Sequence, residues 1–237
     1  MPTALVTGAT GGIGLHIARQ FAELGWMVLV GARDEARGAE VAAGFGARPV
    51  LLDVTDADTI ARAAATVSEL DVLVNNAGIS LDTGTPVTEA DLDVLRRTYE
   101  TNVFGLIAVT NAFLPALRRS ARPRIVNLSS GTGSLTWSTS PNPQFDYRRA
   151  STGRGAGYRS SKTAVNALTV FYAQALADDG FKVNALAPGL RATNLNPQAA
   201  AGGDPAEAAA GAIRLAQLPD DAPTGQLFSW DGTVVPW

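Results

Sequence analysis

Short apolar runs alternate with longer helical patterns along almost the whole chain, and this alternation constrains the fold more than any other feature. The apolar runs are continuous, as expected for strands that are buried on both faces of a parallel sheet. Helices between such strands would cover the two faces. The pattern predicts an α/β fold, a doubly wound parallel sheet of about seven strands that binds ligands at the carboxyl ends of its strands.

The predicted elements follow one another without a repeat or a charged linker between them, so residues 1–237 are predicted to form a single domain. The least regular stretch, 131–157, is rich in Gly, Ser, Thr, Pro and Arg, and a loop of that length in a compact domain is usually functional or mobile. The predicted strands cover 4–7, 27–30, 49–52, 72–75, 124–128, 182–186 and 226–229. The predicted helices cover 12–24, 34–43, 56–69, 88–119, 159–178 and 205–217.

Composition excludes several kinds of site. The chain has no cysteine, which excludes disulfides, thiol catalysis and cysteine-ligated metal. Its single histidine, His16, cannot build a histidine metal cluster or a Ser-His-Asp triad, so no metal site is predicted. The net charge is −3 without a basic stripe, and we therefore expect neither nucleic acid nor an anionic membrane as a partner.

The N-terminal residues Met1-Pro-Thr-Ala-Leu-Val-Thr do not resemble a targeting segment. They contain no basic region followed by a long apolar stretch. Elsewhere no apolar run reaches the roughly 18 residues that a membrane span needs. The sequence therefore predicts a soluble cytoplasmic protein.

A glycine-rich turn follows the first predicted strand. It reads Thr7-Gly8-Ala-Thr-Gly-Gly12-Ile-Gly14 and leads directly into an amphipathic helix. Glycines permit a sharp turn and let backbone N–H groups approach a pyrophosphate, while the helix N-terminus favours an anion. A merely flexible strand–helix turn is the alternative, but the strand before it and the helix after it favour nucleotide binding.

The end of the second strand bears on the choice between NAD and NADP. A carboxylate there would hydrogen-bond a ribose diol, whereas an arginine would pair with a 2′-phosphate. Arg33 comes first, and Asp34 fits better as the cap of the following helix. The order favours NADP(H), with a solvated surface arginine as the alternative interpretation of Arg33.

Tyr158 and Lys162 stand four residues apart in a predicted helix, so the phenol and the ammonium lie on the same face. A neighbouring ammonium favours the phenolate, and we expect it to lower the pKa of Tyr158 from about 10. Tyr158 is therefore a candidate general acid–base at neutral pH. An exposed helical tyrosine is the alternative, because such pairs also occur by chance on solvated faces.

Together these features closely resemble the short-chain dehydrogenase/reductase family over almost the whole chain. Further motifs of the family occur in the expected order: Asp53-Val54 after strand 3, Asn76-Ala-Gly after strand 4, Ser129-Ser130 after strand 5, and Pro188-Gly after strand 6. In members that use NAD an acidic residue typically ends strand 2, where this chain has Ala32. Each motif also has a local explanation, as a turn or a strand end, but their coincidence in one α/β chain favours a Rossmann-type site.

The resemblance implies a set of cofactor-binding residues for NADP(H). The implied set is Gly8, Thr10, Gly11, Gly12, Ile13, Gly14, Arg33, Asp53, Val54, Asn76, Ala77, Gly78, Tyr158, Lys162, Pro188, Gly189, Leu190 and Thr193. Leu190 and Thr193 would contact the nicotinamide amide. Residues 190–204 would form a substrate lid that closes over the cofactor.

The resemblance also implies the catalytic roles in a reversible hydride transfer between nicotinamide and a carbonyl or alcohol carbon. Tyr158 would exchange a proton with the substrate oxygen, and Lys162 would hold the nicotinamide ribose and lower the pKa of Tyr158. Ser130, the second serine of its pair, would hydrogen-bond the substrate oxygen. Asn102 would anchor a water that links Lys162 to solvent.

Ser130 and Tyr158 are 28 positions apart, a wider gap than in most members of the family. The wide gap and the C-terminal sequence resemble the carbonyl-reductase-like subgroup. We expect the insertion 131–157 to form one wall of the substrate pocket, with Trp137, Phe145 and Tyr147 as apolar contacts. Equally, it could shield a helix face that other members use to tetramerise, so monomer and homo-oligomer both stay open.

The sequence predicts an NADPH-dependent carbonyl reductase, or ketoreductase, that acts on a hydrophobic small-molecule carbonyl or alcohol. The alternative from another class is a catalytically silent NADP-binding sensor or scaffold on the same fold. The set of Asn102, Ser130, Tyr158 and Lys162 argues against it, because binding alone does not require a phenol with a lysine partner. An epimerase or dehydratase of the related larger enzymes is disfavoured, since little chain follows strand 7 to build a substrate domain.

Overall fold

The computed structural model of the chain describes residues 1–82, 84–150 and 152–237. These residues form one eight-stranded sheet in the order β3-β2-β1-β4-β5-β6-β7-β8. All neighbours are parallel except β7 and β8, which are antiparallel. The strands are β1 Thr3–Thr7, β2 Met27–Ala32, β3 Arg48–Leu51, β4 Val72–Asn75, β5 Arg124–Leu128, β6 Lys182–Ala187, β7 Leu227–Ser229 and β8 Val234–Val235.

Helices connect the parallel strands and cover both faces of the sheet. They are α1 Gly12–Glu23, α2 Glu35–Ala43, α3 Ala57–Ala65, α4 Leu92–Tyr99, α5 Gly105–Leu117, α6 Leu135–Thr139, α7 Tyr147–Ala150, α8 Ala156–Ala175 and α9 Pro205–Ala216. Short 3₁₀ helices cover Val87–Glu89, Gly131–Gly133 and Pro197–Ala201, and a π-helix covers Glu100–Phe104. The predicted α/β fold with its doubly wound parallel sheet is confirmed.

The core consists of two layers on opposite faces of the sheet. Successive strand residues point to opposite faces, and in β1 Ala4 and Val6 join the layer of α1, α2 and α9, whereas Leu5 joins the layer of α3, α5 and α8. Both faces of the central strands are therefore apolar. This explains the continuous apolar runs of the sequence.

Three parts of the structure differ from the prediction. The single helix expected over 88–119 is divided into a 3₁₀ turn, α4, the π-helix and α5. The sheet also has an eighth strand, β8, which pairs with β7 and was missed because two residues carry no periodic signal. The stretch 131–157, predicted to be irregular, contains α6 and α7, and its residue Ser151 lies outside the described residues.

The sheet order changes direction between β1 and β4, because β1 continues to β2 on one side and to β4 on the other. Ligands bind at such a switch point, outside the carboxyl ends of the strands. Thr7 closes β1 there, and its hydroxyl oxygen accepts hydrogen bonds from the backbone of Asn76 and Ala77 after β4, at 2.9 and 3.0 Å. The fold thus brings the glycine turn beside the end of β4. Among the described helices, none is both long and apolar enough to cross a membrane.

Candidate active site

A cleft of about 510 Å³ opens at the carboxyl ends of the strands. It has the size of a ligand site. Of the eighteen residues predicted to bind the cofactor, fifteen line it: Gly8, Thr10, Gly11, Gly12, Ile13, Arg33, Asp53, Val54, Asn76, Ala77, Gly78, Tyr158, Lys162, Pro188 and Thr193. The other three, Gly14, Gly189 and Leu190, are not among its lining residues.

The glycine turn is fixed by its own backbone geometry. Gly8 and Gly12 have φ angles of +62° and +52°, in the left-handed region that favours glycine. A Cβ on Gly14 would stand 2.3 Å from the side-chain nitrogen of Asn76 and 2.6 Å from the carbonyl oxygen of Gly8. Gly14 therefore shapes the cleft without lining it, because only a residue without a side chain lets the first turn of α1 approach the end of β4.

The turn also fits a cofactor pyrophosphate. Gly11 precedes α1 as its N-cap and supplies no side-chain hydrogen bond, so the first N–H groups of the helix lack a capping partner. A Cβ built on Gly11 would meet no atom within 4 Å, and Gly11, Gly12 and Ile13 all line the cleft. A helix N-terminus whose N–H groups have no capping partner and point to an open cleft is an arrangement that binds phosphate.

The end of β2 places the two residues that bear on cofactor choice as predicted. Asp34 caps α2, accepting a hydrogen bond from the backbone of Arg37 at 2.9 Å. Arg33 is exposed at the rim of the cleft, and no ion pair involves it among the residues that the structure describes. Ala32 is buried at the strand end, where it offers no carboxylate to a ribose.

The neighbouring strand ends complete this half of the cleft. Asp53 after β3 is held by Thr55, whose backbone N–H and hydroxyl donate to the Asp53 carboxylate at 2.9 and 2.8 Å. Asn76 donates its side-chain amide to the carbonyl oxygens of Thr7 and Gly8, at 2.9 and 3.2 Å. These bonds fix the walls of the cleft against the sheet. The turn interpretation of Asn76 is thus correct as to local structure, and the same residue also lines the cleft.

Asn102 lies in the π-helix between α4 and α5. Its side chain accepts a hydrogen bond from the backbone N–H of Ile79 at 2.8 Å and donates to the Ile79 carbonyl at 2.9 Å and to Ser161 at 3.0 Å. π-Turns are frequent at functional sites. A Cβ on Gly78 would come within 3.3 Å of the Asn102 side-chain oxygen and 3.4 Å of the Lys162 nitrogen, so these two side chains lie next to each other beside the cleft.

Tyr158 and Lys162 occupy the first turns of α8 and both line the cleft. The Lys162 nitrogen is 5.7 Å from the centre of the Tyr158 ring and donates to the carbonyl oxygen of Leu128, at the end of β5, at 2.7 Å. Lys162 is only 5 % exposed. The predicted shared face of the helix is confirmed.

The expected direction of the Tyr158 pKa is wrong for this structure. Burial of the phenol raises the pKa of Tyr158 to about 12, and a hydrogen bond from Ser130 offsets only part of that rise. Burial also lowers the pKa of Lys162 to about 8, because the ammonium loses its hydration. Desolvation is the largest cause of both shifts, so Tyr158 holds its proton and Lys162 stays largely charged at neutral pH.

The two serines after β5 have different surroundings. Ser129 is buried and donates to the side chain of Asn166 at 2.5 Å and to the carbonyl oxygen of Lys162 at 3.2 Å. Ser130 is half-buried, hydrogen-bonds to Thr132 at 2.9 Å and lies near enough to the Tyr158 phenol to lower its pKa. Ser129 is among the residues that line the cleft and Ser130 is not, but Ser130 is the serine beside the Tyr158 phenol, whereas Ser129 connects the strand end to α8.

The aromatic residues of the insertion, Trp137, Phe145 and Tyr147, are not among the residues that line the cleft. Trp137 is 7 % exposed in a small third core with Ala185, Ala187, Leu227 and Val235. The Phe145 ring packs edge-on to Trp137, at 6.4 Å between centroids. This packing explains why the insertion needs apolar residues. Substrate contact by Trp137, Phe145 and the half-buried Tyr147 stays a prediction.

The segment after β6 forms the opposite wall. Thr193 lies in the cleft against Gly12, followed by Asn194 and Leu195, whereas the Leu190 side chain is 55 % exposed. Arg191 anchors the base of this segment through Pro188, Glu207 and the ring of Trp230. His16 is half-buried on α1, in keeping with a structural role.

Several residues that the sequence did not reveal contribute to the site. Ile79, Thr101 and Leu195 line the cleft, and Asp82 caps the helix that carries Tyr158. Lining residues of this kind carry no motif of their own. For Asp82 a weak signal existed, since aspartate is a preferred helix cap, but its helix begins more than seventy residues later.

Comparisons with known proteins agree with this geometry. A family model described as short chain dehydrogenase matches residues 2–142. Galactitol 2-dehydrogenase (L-tagatose-forming) from Cereibacter sphaeroides is 33% identical to this chain, covering 99% of the chain and 95% of the relative.

Two solved structures share the fold over nearly the whole chain. The NADPH-bound carbonyl reductase from chicken fatty liver has a TM-score of 0.84 and 27% identity, covering 100% of this chain and 99% of that one. A 3-oxoacyl-[acyl-carrier protein] reductase with bound NAD from Brucella melitensis has a TM-score of 0.79 and 29% identity, covering 96% and 88%. The two similar structures thus contain different nicotinamide cofactors.

Proposed function

Because the chain belongs to the short-chain dehydrogenase family, whose members act on CH–OH and C=O groups with a nicotinamide cofactor, we propose that it is an NADPH-dependent carbonyl reductase, or ketoreductase. The single observation that carries the proposal is that Tyr158 and Lys162 line one cleft with the glycine turn, with Ser130 beside the Tyr158 phenol. A binding module would need the glycine turn alone.

The cofactor would lie along the carboxyl ends of the strands. Backbone N–H groups at the start of α1, from Gly12 onward, would hold its pyrophosphate, and Asp53 and Val54 would border the adenine. Lys162 would hold the nicotinamide ribose, with Thr193 on the opposite wall. When bound, the nicotinamide supplies the hydride.

Arg33 supports a preference for NADPH. Its guanidinium is exposed at the cleft rim, next to a strand end that carries alanine in place of an acidic residue. A guanidinium can pair with the two oxygens of a 2′-phosphate, which NADH lacks. Since Asp34 is engaged as a helix cap, its carboxylate is not positioned to replace that contact with a bond to a ribose diol.

Tyr158 would be the proton donor in reduction. A phenol whose pKa is raised to about 12 is protonated at neutral pH, and it can give its proton to the alkoxide that develops on the substrate oxygen. The Ser130 hydroxyl, which lies beside the Tyr158 phenol, would hold the same oxygen. Charged Lys162 would stabilise the phenolate that remains, and in oxidation the same residues would act in reverse.

Asn102 would help Tyr158 to regain a proton from solvent after it has given one to the substrate. Its side chain holds the backbone of Ile79 and bonds to Ser161 one residue before Lys162, so it fixes the π-helix beside the ammonium. A water at that turn would connect Lys162 to solvent. Around the substrate, Ile79 and Leu195 give the cleft apolar surface that suits a hydrophobic ketone or aldehyde, and residues 190–204 would close over it.

An absorbance assay of reduced nicotinamide tests this proposal. Purified protein is mixed with NADPH or NADH and a panel of aldehydes, aromatic ketones and diketones, with Tyr158→Phe as the control. Carbonyl-dependent consumption that prefers NADPH and disappears in Tyr158→Phe is expected. A preference for NADH would refute the role of Arg33 while keeping the enzyme, and tight NADPH binding without turnover across the panel would favour a sensor.

A further inference from the structure

We infer that Asp82 is a positioning residue for Tyr158, an inference that rests on the proposed function of Tyr158 as the proton donor. One oxygen of the Asp82 carboxylate accepts a hydrogen bond from the backbone N–H of Gly157 at 2.5 Å. The other accepts from the backbone N–H of Tyr158 itself at 3.2 Å. Asp82 is 8 % exposed, so its charge has little access to water and both bonds are made inside the protein.

These two bonds take the place of a local cap. Gly155, the residue before α8, supplies no side-chain hydrogen bond, although a helix of twenty residues begins there. The N–H groups in the first turn of a helix have no partner within the helix. Asp82 supplies both acceptors from a loop 75 residues away, and its negative charge is favourable at a helix N-terminus.

The backbone continues this attachment beyond Asp82. Gly155 donates to the carbonyl oxygen of Thr85 at 3.2 Å, and Val87 donates to the carbonyl oxygen of Gly153 at 3.0 Å. Pro86 and Arg154 pair as an antiparallel bridge between these two bonds. The loop after β4 and the segment that enters α8 therefore run side by side, and Asp82 stands where they meet the helix.

Gly157 shows how closely the carboxylate and the helix are packed. A Cβ on Gly157 would lie 2.9 Å from an Asp82 carboxylate oxygen and 3.3 Å from a methyl carbon of Leu95 in α4. No side chain fits there without moving the carboxylate or the helix. The residue directly before Tyr158 is thus matched to Asp82.

The same loop receives two other parts of the site. Asn102 bonds to both backbone groups of Ile79, three residues before Asp82, and Asn196 from the opposite wall donates to Ser80 at 3.4 Å. The loop is therefore a common support for the π-helix, the opposite wall and the helix of Tyr158. Loss of the Asp82 bonds would free the start of α8 while leaving the glycine turn untouched.

Three variants test the role of Asp82. Asp82→Ala removes both acceptors, whereas Asp82→Asn keeps one oxygen and should restore part of the function. The matched control is Asp91→Ala, because Asp91 caps α4 through two backbone N–H groups, of Asp93 and Val94, and takes no part in the cleft. Wild type and Tyr158→Phe are assayed beside them to test the proposed function itself.

With NADPH and a carbonyl substrate, we expect kcat to fall at least tenfold in Asp82→Ala and less in Asp82→Asn. The dissociation constant of NADPH should stay within twofold of wild type in both, and Asp91→Ala should retain its kcat with a similar loss of thermal stability. A kcat loss no larger than that of Asp91→Ala would overturn the inference. So would an equal loss of turnover and NADPH affinity, since that would indicate general damage.

Amide hydrogen exchange gives a readout that needs no turnover. The amides of Gly157 and Tyr158 should exchange slowly in the wild type and in Asp91→Ala, and faster in Asp82→Ala. Rapid exchange of both amides in the wild type would contradict the inference even if the enzyme is active. Conversely, slow exchange of both amides in a wild type that shows no turnover would support the cap by Asp82 and would refute only the proposed function.

Discussion

The two halves of the cleft are built in different ways. In the cofactor half, the strand ends and the glycine turn form the walls with their backbone, and side-chain bonds such as those of Asn76 to Thr7 and Gly8 hold these walls in place. The catalytic half instead presents the side chains of Tyr158 and Lys162, and bonds between distant segments position them, such as those of Asp82 with Tyr158 and Asn102 with Ser161. Under the proposed function, we expect the backbone of the cofactor half to govern cofactor binding and the positioned side chains of the catalytic half to govern turnover.

Lys162→Met is expected to have the largest effect, a loss of turnover without a loss of stability. The change removes a charge that is buried and whose pKa is lowered to about 8, so the free energy of unfolding should stay equal or rise. Turnover should fall by about 10²- to 10⁴-fold, the range of acid–base catalysis. Thermal unfolding and steady-state kinetics measure the two effects, and a variant that keeps wild-type turnover would contradict the role of Lys162.

Two glycine variants sharpen the account of the cofactor half. Gly14→Ala places a methyl group 2.3 Å from the Asn76 amide, and we expect a stability loss of about 1–3 kcal/mol together with loss of cofactor binding. Gly11→Ala meets no protein atom within 4 Å, so its unfolding temperature should match the wild type while NADPH affinity falls. Calorimetry and a fluorescence titration of NADPH check this contrast. Equal unfolding temperatures for the two variants would count against it.

Arg33→Ala tests the edge of the cofactor half. Loss of a charge-assisted contact of about 1.5–3 kcal/mol should weaken NADPH binding roughly ten- to hundredfold and leave NADH binding unchanged. Arg37→Ala is the control, because Arg37 is a nearby exposed arginine that pairs with Glu40 at 2.6 Å. If both variants bind NADPH like the wild type, the 2′-phosphate is held elsewhere.

The pH dependence of reduction is the mildest test of the catalytic half. Tyr158, with a pKa of about 12, stays protonated over the whole accessible range, whereas Lys162 loses its charge as the pH rises through about 8. With saturating NADPH, kcat for carbonyl reduction should therefore be constant below about pH 7 and fall at most tenfold per pH unit above about pH 8. A profile that stays flat to pH 10 would show that the charge on Lys162 is not required.

The sequence predicted the cofactor half because its signals are local. Gly8, Gly12 and Gly14 follow a strand and precede a helix, and the motifs after the later strands occur in the order that the sheet requires. Likewise, the four-residue spacing of Tyr158 and Lys162 placed both on one face of α8, and Asp34 was recognised as a helix cap.

The rest of the site could not be predicted, because it depends on contacts between distant residues. Trp137 and Phe145 were predicted to contact the substrate, which stays a prediction, but their packing in a core that the C-terminal strand β8 completes was not foreseen. The predicted lowering of the Tyr158 pKa was wrong, because burial raises it. The spacing of Tyr158 and Lys162 indicates that the two groups are close, but it does not show how deeply the fold buries them. Asp82 carried no signal that connected it with a helix 75 residues later.

Comparison of wild type with Tyr158→Phe tests the central claim most directly, because binding and turnover are measured on the same preparations. NADPH affinity is determined by fluorescence titration, and turnover is determined with the best carbonyl substrate of the panel. We predict an NADPH dissociation constant within about threefold of wild type and a loss of turnover of about 10²-fold or more. Unchanged turnover in Tyr158→Phe, or turnover that falls only as far as NADPH affinity does, would contradict the claim that the two halves act separately.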